Sequence, residues 1–577
     1  MNLAKKIGTS KLWLPVTIIL LVIINWLASL YHTRIDLTDE KRFTLSGSTK
    51  TLLKKLDGEV EITVLLTGDI KSEFKKLSAS VGELLENFKN YAGNNIQYKF
   101  ELPGEGVNDS IKANIFDSLV QMGLRPTNQQ IQVKEGEGKN QRQIFPGAVV
   151  KYKDKTVAID FLQGQVQKNI FNSDDILDKQ SINSAEALLE YKFANAIQQI
   201  TQKEVPLVGY AYGNGEPVYG MPFVEDVFSV LGRDYSIDTV NIKTVPFIPA
   251  EFSAIVIVKP INKFTNDDKF KIDQYVMNGG RVLWLIDALY AERDSLQNGN
   301  LVAYSRDLDV GDLLFKYGAR INPDLLVDKH GDKIPLEVGY VGGQSQKQLV
   351  NWPYFPLLQP ASDNAIVKNM ADVLGQFVNT IDTVEAENIK KTILLSSSGN
   401  AYKEPTPALV NINSVQNDAG LEKYNQKNIP VAVLLEGKFH SAFTNRVSQI
   451  QYDSLKAHGE VFLNECISNN RMIVVGDADI VINNVSESIG PLPMGVNKYT
   501  KIQYANREFF QNCMEYLANK NNILDSRAKD YTLRLLDLKK IEAEKTTWQL
   551  INIALPVLLV FLFAVIYQRW RKRKYTK

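Results

Sequence analysis

A glycine-rich turn directly after an apolar, strand-like run is the first position in this sequence where a ligand could be held. The run spans residues 205–213, and the turn consists of Gly213, Asn214, Gly215 and Glu216. In a parallel sheet the ligand crevice lies at the carboxyl ends of the strands, and glycines allow the backbone to approach a ligand closely. We therefore predict that these four residues bind a ligand or a partner.

The same turn lacks the features of a nucleotide site. A dinucleotide fingerprint needs the spacing Gly-x-Gly-x-x-Gly, but Gly220 is too distant from Gly215, and no nearby basic residue could meet a phosphate. The P-loop pattern Gly-x-x-x-x-Gly-Lys-Ser/Thr does not occur in the chain. We predict no cofactor, and we expect any energy from ATP hydrolysis to come from another subunit.

The nucleophilic residues are poorly placed for catalysis. The pattern Gly-x-Ser-x-Gly is absent, and Ser396, Ser397 and Ser398 followed by a glycine are typical of a turn. Cys466 and Cys513 lie in stretches with a helical pattern, where a thiol usually behaves as a small buried hydrophobe. Two cysteines and four scattered histidines exclude a disulfide scaffold and a cysteine-rich metal module. We predict neither catalytic residues nor a bound metal.

Two further groups of residues each have two interpretations. Asp477 and Asp479 follow an apolar run and could hold a divalent ion, but calcium prefers six to eight oxygen ligands, so a structural turn is the better interpretation. Trp352 and Tyr354 lie in an aromatic and proline-rich segment, residues 351–360, which we predict to be an ordered loop. Such a loop packs on the core or presents an interaction surface. We include both aromatic residues among the predicted partner-binding residues.

The elements that must position these residues alternate between strand and helix patterns, and 577 residues are too many for a single core. In the first part, strand-like runs at 60–66 and 96–102 flank a segment, 73–91, with apolar residues at a helical period. Such alternation indicates an open α/β sheet. We predict that residues 34–200 form a domain that is thioredoxin-like in element order only, because it has no Cys-x-x-Cys pair for thiol chemistry. A helix is predicted at 184–200.

A second domain is predicted over residues 205–520, with a Rossmann-like core. Its predicted strands lie at 205–213, 236–240, 253–260, 281–287, 394–399, 431–437 and 471–481, and its predicted helices at 222–231, 266–277 and 506–517. Residues 254–258 are apolar at every position, which is typical of a strand buried on both faces of a parallel sheet.

Two uncharged apolar segments frame the chain. Residues 12–31 are long enough to cross a hydrocarbon core of roughly 30 Å, and they exceed the apolar region of a usual signal peptide. We predict transmembrane helices at 12–31 and 547–568, with a charged helical stalk at 521–546 before the second helix. The predicted protein is thus membrane-anchored by two spans.

The distribution of charge predicts how the chain crosses the membrane. Three lysines in residues 1–11 precede the first span and six basic residues in 569–577 follow the second, and short basic flanks stay on the cytoplasmic side. We therefore expect an inner-membrane protein with both termini in the cytoplasm and its main body in the periplasm. Without these nine charges the net charge of +1 becomes −8, so nucleic acid is excluded as a partner.

Several longer stretches resemble a known family; they lie at residues 34–46, 313–328, 351–360, 431–446 and from 548 onwards. The chain resembles the GldG family, the gliding-motility-associated ABC transporter substrate-binding or auxiliary component of Bacteroidota. This resemblance covers nearly the whole chain. It implies a central domain with the fold of class I glutamine amidotransferases, also seen in an intraflagellar-transport protein, without the catalytic cysteine. Relatives often carry Gly-His-Gly-Glu where this chain has Gly213 to Glu216, which argues against a histidine-dependent role.

The resemblance further implies an inner-membrane subunit that assembles with a separate ATPase and a permease and is needed for gliding motility and associated secretion. Our leading hypothesis is a non-enzymatic auxiliary subunit whose periplasmic body binds a partner or ligand. The first alternative is a tethered solute-binding protein that delivers a small molecule, which predicts a closed pocket with convergent polar groups near residues 213–216. The second alternative is a hydrolase on the amidotransferase-like fold.

Overall fold

The computed structural model of the chain describes residues 13–30, 44–132, 139–162, 168–169, 179–292, 295–296, 299–341, 344–412, 421–486, 488–519, 523–528 and 538–575. The chain divides into two compact units, Met1–Asp530 and Tyr531–Lys577, and each is described by itself. The predicted cytoplasmic segment 1–11 and residues 34–43 of the first predicted domain lie outside the described residues.

The first unit begins with a helix and a small mixed sheet. The helices are α1 (Trp13–Leu30), α2 (Gly47–Lys54), α3 (Ser72–Ala92), α4 (Asp109–Gln121), α5 (Lys179–Ala187) and α6 (Leu189–Thr201). The strands are β1 (Val60–Val64), β2 (Ile96–Phe100), β3 (Thr127–Gln132), β4 (Lys139–Ile144), β5 (Gly147–Tyr152), β6 (Lys155–Asp160) and β7 (Lys168–Asn169). Four strands form a sheet of order β2-β1-β5-β6, in which only β1 and β2 run parallel.

The sequence pattern accounts for most of these elements. Helix α3 buries Leu77, Val81 and Leu85, which recur at the helical period and therefore face the core together. The single helix predicted at 184–200 is instead two helices, α5 and α6. The chain turns between them at Leu188, whose backbone N–H bonds to the carbonyl of Ala185, three residues earlier.

The rest of the first unit surrounds a large sheet. Its strands are β8 (Leu207–Tyr212), β9 (Ser236–Asn241), β10 (Ala254–Val258), β11 (Val282–Leu285), β12 (Leu289–Tyr290), β13 (Asn300–Ser305), β14 (Ala319–Ile321), β15 (Asp324–Asp328), β16 (Gly331–Val341), β17 (Gln344–Pro360), β18 (Val373–Leu374), β19 (Ile381–Thr383), β20 (Ile389–Ser396), β21 (Ala401–Pro405), β22 (Ala408–Asn411), β23 (Pro430–Gly437), β24 (Asn470–Val475), β25 (Val485–Ser486), β26 (Gly490–Pro491) and β27 (Ile502–Gln503). Its helices are α7 (Glu225–Asp234), α8 (Asn266–Met277), α9 (Gly311–Tyr317), α10 (Gln449–Ala457) and α11 (Asn506–Ala518).

The large sheet has a parallel and an antiparallel half. Five parallel strands lie in the order β9-β8-β10-β11-β24, and the sheet continues through antiparallel strands in the order β23-β20-β17-β16. Every residue of β10 and β11 is buried, as their uninterrupted apolar runs predict for a sheet covered on both faces. Strand β9 lies on one side of β8 and strand β10 lies on the other, so the direction in which successive strands are added to the sheet reverses at β8. In open α/β sheets this reversal creates the crevice that usually binds ligands.

Helix α8 has the bounds that the sequence predicts. Thr265 and Asp268 form a reciprocal capping box at its start, and Gly279, with φ of 93°, follows its end. These local signals fix both helix ends without help from distant residues.

One hydrophobic core extends from the small sheet into the large one. It contains Phe88 and Phe193 from the first part together with Tyr210, Val256 and Phe509 from the second. The regions predicted as separate domains, 34–200 and 205–520, therefore share buried surface within one compact unit.

Two further local predictions were wrong. Residues 351–360 belong to strand β17 and are not a loop, because their aromatic side chains pack inside a hydrophobic cluster while the backbone pairs with neighbouring strands. Cys466 lies in an irregular segment and not in a helix, because Glu465 beside it forms an isolated bridge with His440.

The segment Ile523–Ala528 is a short 3₁₀ helix, and its residues Ile523 and Leu524 are part of the core of the first unit. The predicted stalk at 521–546 thus starts with residues that belong to the body, and residues 529–537 lie outside the described residues.

The second unit contains one long helix, α12 (Leu538–Tyr575), which includes Pro556. Within the described ranges, its stretch Glu544–Arg573 is the single helix that is long and apolar enough to cross a membrane, and none of its most apolar window is buried. Helix α1 has 18 residues and no charged side chain, and its residues Ile18 to Ile24 are exposed.

Candidate functional site at the carboxyl ends of the parallel strands

The turn after β8 lies against the chain that leaves β10, at the point where strand order reverses. The carbonyl oxygen of Asn214 accepts hydrogen bonds from the N–H groups of Ile261 at 2.9 Å and Asn262 at 2.8 Å. These bonds join the ends of two neighbouring parallel strands, so the predicted residues do lie at the crevice position of the fold.

The glycines of this turn are needed for packing between protein segments. Gly213 and Gly215 have φ values of 127° and 85°, which side-chain-bearing residues rarely adopt. A Cβ atom on Gly215 would lie 2.3 Å from Cγ1 of Ile261, and one on Gly213 would lie 2.8 Å from Oδ1 of Asn241. The close approach that the sequence predicts is therefore made by the protein's own side chains.

Glu216 is buried at the bottom of the same turn, with only 4% of its surface exposed. Its Oε2 accepts a 2.7 Å hydrogen bond from the backbone N–H of Asn214. Burial raises the pKa of the Glu216 carboxyl to about 7, because the charged form loses its hydration, and backbone hydrogen bonds offset only part of this effect. As far as the structure is described, the Glu216 Oε1 and both polar side-chain atoms of Asn214 have no hydrogen-bond partner.

A cluster of charged residues occupies the ends of the next three strands, β10, β11 and β24. The Lys259 ammonium contacts Asp479 at 2.5 Å, Asp287 at 3.1 Å and Glu292 at 3.2 Å. Lys259 is held there by a backbone φ of 50°, the left-handed conformation that a non-glycine residue adopts only at some cost. We call these four residues the Lys259 cluster.

The carboxylates of this edge also hold the backbone of neighbouring loops. Asp287 accepts from the N–H of Ala478 at 2.6 Å, and Asp477 accepts from the N–H groups of Gln376 and Asp479, both at 2.8 Å. Burial raises the pKa of Asp477 well above its usual range, and it raises the pKa of Asp479 to about 6 although Lys259 opposes this. The two aspartates thus act as strand-end turn residues, as the sequence favours.

The chemistry available at this edge is limited. The Lys259 ammonium is surrounded by three carboxylates, one of which, Glu292, also pairs with Arg306 at 3.2 Å. Lys243, after the end of β9, is paired with Asp268 at 2.5 Å. A phosphate at this edge would therefore meet several carboxylates whose cations are already paired. Hydrogen bonds and ion pairs connect the segments that follow β8, β10, β11 and β24. Such contacts are typical of a rigid connection between loops.

Three buried serines lie at the end of β20: Ser396 is its last residue, and Ser397 and Ser398 follow it. Ser398 donates from its Oγ to Asp328 at 2.5 Å and from its N–H to the same carboxylate at 2.7 Å. Ser397 accepts from the N–H of Ile429 at 2.9 Å. These hydrogen bonds give Ser397 and Ser398 a structural role at the strand end, while Ser396 belongs to the strand itself.

Both thiols are buried. Burial raises the pKa of Cys466 to about 11 and the pKa of Cys513 well above its usual value, so both remain protonated at neutral pH. A protonated, inaccessible thiol is a poor nucleophile, which matches the prediction of buried hydrophobic cysteines.

Trp352 and Tyr354 do not join the predicted turn residues. Both are buried in a separate hydrophobic cluster with Phe355 and Phe377, and the Tyr354 hydroxyl donates to Glu404 at 2.8 Å. Their assignment as partner-binding residues is corrected here, because buried aromatic side chains offer no contact surface to a partner.

The sequence reasoning missed Lys259, Asp287 and Glu292. A signal was present for two of them, because Lys259 follows the apolar run of β10 directly and Asp287 follows the apolar run around β11. The first charged residue after a buried parallel strand lies at the carboxyl edge of the sheet, where such residues meet. Their pairing could not be read from the sequence.

The chain is similar to several known proteins. The family model for an ABC-type uncharacterized transport system matches residues 206–513, and a model for a domain of unknown function (DUF7088) matches residues 39–151. An uncharacterized protein of Borreliella burgdorferi is 22% identical over 451 residues, which cover 76% of this chain and 79% of that protein. Among solved structures, the mmIFT52 N-terminal domain matches with 13% identity and a TM-score of 0.31, covering 54% of this chain and 97% of that domain.

Proposed function

Because the chain belongs to the family described as ABC-type uncharacterized transport system, we propose that it is a non-enzymatic, membrane-anchored accessory subunit of an ABC-type transporter complex. The observation that carries this proposal is the family match, which spans residues 206–513 and so more than half of the 577 residues. The matched region includes the whole parallel half of the large sheet. It also includes the turn after β8 and the Lys259 cluster.

The partners that we propose are a multi-span permease and a separate ATPase. The chain has no P-loop sequence, so a complex that uses ATP needs another subunit to hydrolyse it. The test is a mild-detergent pull-down of the tagged full-length protein from its native membrane, followed by mass spectrometry. We expect stoichiometric recovery of an ATPase and a permease. Recovery of this chain alone would contradict the proposal.

We further propose two membrane spans, both termini in the cytoplasm and the main body in the periplasm. Support comes from the apolar stretch of α12, from the uncharged segment 12–31 and from the basic residues beyond each. Single cysteines at Arg571 and Tyr219, both exposed, test this topology. In intact spheroplasts a membrane-impermeant maleimide should label Tyr219→Cys and leave Arg571→Cys unlabelled. The reverse pattern would overturn the proposed orientation.

For the body, we infer a thioredoxin-like arrangement at 34–200 and a Rossmann-like, amidotransferase-like domain at 205–520 that performs no catalysis. The four-stranded sheet β2-β1-β5-β6 supports the first assignment, and the five parallel strands support the second. The absence of Cys-x-x-Cys and the buried, protonated thiols of Cys466 and Cys513 support the lack of catalysis. A panel of acyl and amide substrates tests the hydrolase alternative. Turnover that disappears in Cys466→Ala or Cys513→Ala would favour that alternative.

We propose that the complex serves gliding motility and associated secretion, on the basis of the resembling stretches at 34–46, 313–328, 351–360 and 431–446. In this proposal the body and the membrane helices are mechanically coupled. Deleting seven residues from the charged first part of α12, between Leu538 and Lys545, should abolish colony spreading while the protein still accumulates and binds its partners. Normal spreading by this variant would contradict the coupling.

A tethered solute-binding protein is the second candidate function. This function predicts a closed pocket near residues 213–216. The side chains of Ile261 and Asn241 instead occupy the space beside the glycines of that turn. A cavity with polar lining residues elsewhere in the first unit supports this second candidate function. Thermal-shift screening of the full-length protein with small solutes tests whether the protein binds one.

A further inference from the structure

A polar cavity of about 310 Å³ lies within the first unit, between helix α6, helix α11 and the 3₁₀ helix Ile523–Ala528. Residues of β6 and the end of α7 close its other sides. This volume is at the lower end of the range for pockets that enclose small organic ligands. None of the residues predicted from sequence as a binding site lines it.

Residues that line the cavity carry buried polar atoms that have no hydrogen-bond partner among the described residues. Five such buried atoms belong to lining residues: Gln198 Oε1, Glu508 Oε2, Glu515 Oε1, Gln511 Nε2 and Arg527 Nε. Most buried polar atoms in proteins have a partner, so five on one cavity are unusual. They comprise three acceptors and two donors.

Donors and acceptors alternate along one face of α11. Glu508, Gln511 and Glu515 are separated by three and four residues, so their side chains follow one another along the cavity. The order is acceptor, donor, acceptor. A ligand that meets this face must therefore offer both donors and acceptors at short intervals.

The charges around the cavity are already balanced inside the protein. Arg527 pairs with Glu508 at 2.9 Å and lies 4.9 Å from the ring of Tyr191, and Arg233 pairs with Asp234 at 2.8 Å. The hydroxyl of Tyr191 donates to Glu515, whose pKa burial raises to about 7. A fully charged ligand would have to break one of these pairs, and a neutral ligand would not.

We propose that this cavity binds a small neutral polyhydroxylated compound, a saccharide or polyol. Each hydroxyl both donates and accepts, which matches the alternating groups of α11. Tyr191 and Tyr235 are among the lining residues, so a sugar ring in the cavity would lie beside aromatic side chains. The ligand bonds to the polar side chains of the lining once they adjust slightly towards it.

The test measures binding to the full-length protein in a polyoxyethylene detergent, which has no sugar headgroup. Isothermal titration calorimetry and thermal shift are run with glucose, galactose, maltose and myo-inositol, with arginine and spermidine as cationic probes and citrate as an anionic probe. We expect at least one neutral polyhydroxylated probe to bind and to raise the melting temperature. No binding by any of these four, or stronger binding of a charged probe, would overturn the proposal.

Two variants locate the binding. Gln511→Leu and Gln198→Leu keep the side-chain size and remove an unpartnered polar atom each, so each should fold and weaken binding of the neutral probe roughly tenfold. Gln449→Leu is the matched control, because Gln449 is exposed on α10 and does not line the cavity. Undiminished binding in both cavity variants would place the ligand elsewhere and refute the assignment. The outcome is independent of whether an ATPase and a permease are recovered.

Discussion

The crevice edge with the Lys259 cluster and the cavity between α6 and α11 are two polar regions of the body that differ in free space. In the Lys259 cluster one ammonium contacts three carboxylates at 2.5–3.2 Å, Arg306 also pairs with Glu292, and the neighbouring turn is packed against its own chain. That turn has unpartnered polar atoms on Asn214 and Glu216, but its glycines leave no free space beside Ile261 and Asn241. The cavity between α6 and α11 combines free space with five unpartnered polar atoms. We therefore expect the cavity to be the better binding site, because a ligand needs room as well as hydrogen-bonding groups.

The largest expected effect breaks the Lys259 cluster. Lys259→Met should lower the free energy of unfolding by about 3–5 kcal/mol, because it leaves Asp287 and Asp479 as buried carboxylates without their cation. Urea unfolding of the full-length protein in detergent, followed by tryptophan fluorescence, measures the change. Lys263→Met is the matched control, since its pair with Asp307 is exposed and should contribute little. Equal effects of the two variants would show that the cluster is not a structural connection.

The second prediction concerns the packed turn after β8. Gly215→Ala should destabilise the protein by about 2–4 kcal/mol, because the new Cβ adds a contact 2.3 Å from Ile261 to the cost of its positive φ. Gly220→Ala has a similar φ of 90° but meets no atom within 4 Å, so it should cost about 1–2 kcal/mol. The difference between the urea unfolding midpoints of Gly215→Ala and Gly220→Ala measures how much the contact with Ile261 contributes to the loss of stability. If the two variants are equally stable, the turn has room that a ligand could use.

The third prediction uses the pH dependence of Glu216. Its pKa of about 7 in the folded protein lies above its ordinary value of 4.5, so between these pH values the folded state binds more protons than the unfolded state. The contribution of Glu216 to stability is therefore present below pH 4.5 and is lost as pH rises to 7. Glu216→Gln removes this titration. From pH 5 to pH 8 its stability relative to the wild type should rise by about 1–3 kcal/mol.

Urea unfolding of the wild type and of Glu216→Gln at four pH values between 5 and 8 measures the difference in their free energies of unfolding. The control is Glu225→Gln, which changes an exposed glutamate in the first turn of α7. A flat difference for Glu216→Gln across this pH range would mean that water reaches the carboxylate. In that case the turn would be more open than its glycine contacts indicate.

The smallest effect is expected in the cavity. Gln511→Leu should leave the stability of the protein without ligand unchanged within about 1 kcal/mol, because the amide nitrogen that it removes has no partner to lose. Thermal unfolding without added solute measures this change. A large loss of stability would show that Gln511 is part of a completed hydrogen-bond network, and the contrast between the two regions would then disappear.

Much of the fold could be predicted because its signals are local. Helix α8 has a capping box at Thr265 and a glycine at its end, so its bounds follow from a few adjacent residues. Strand β10 is apolar at all five positions, which predicts a strand buried on both faces. The turn at Gly213 to Glu216 could be placed at a strand end for the same reason.

The predictions that failed depended on distant contacts. The segment around Trp352 has the composition of a loop, yet its side chains pack with Phe377 and its backbone belongs to β17. The break at Leu188 lies inside a continuous helical pattern, so the pattern alone does not reveal it. For the segment around Trp352, tertiary packing outweighs local preference.

Residue types and their spacing along the chain are enough to predict the α/β class, the apolar terminal segments, the lack of a P-loop and the buried character of both cysteines. Which charged groups meet depends on the tertiary fold. Lys259 and Asp479 are 220 residues apart, and Tyr191 and Glu515 are 324 apart. Pairing and free space arise when distant elements pack against one core, and a linear pattern contains neither distance nor volume.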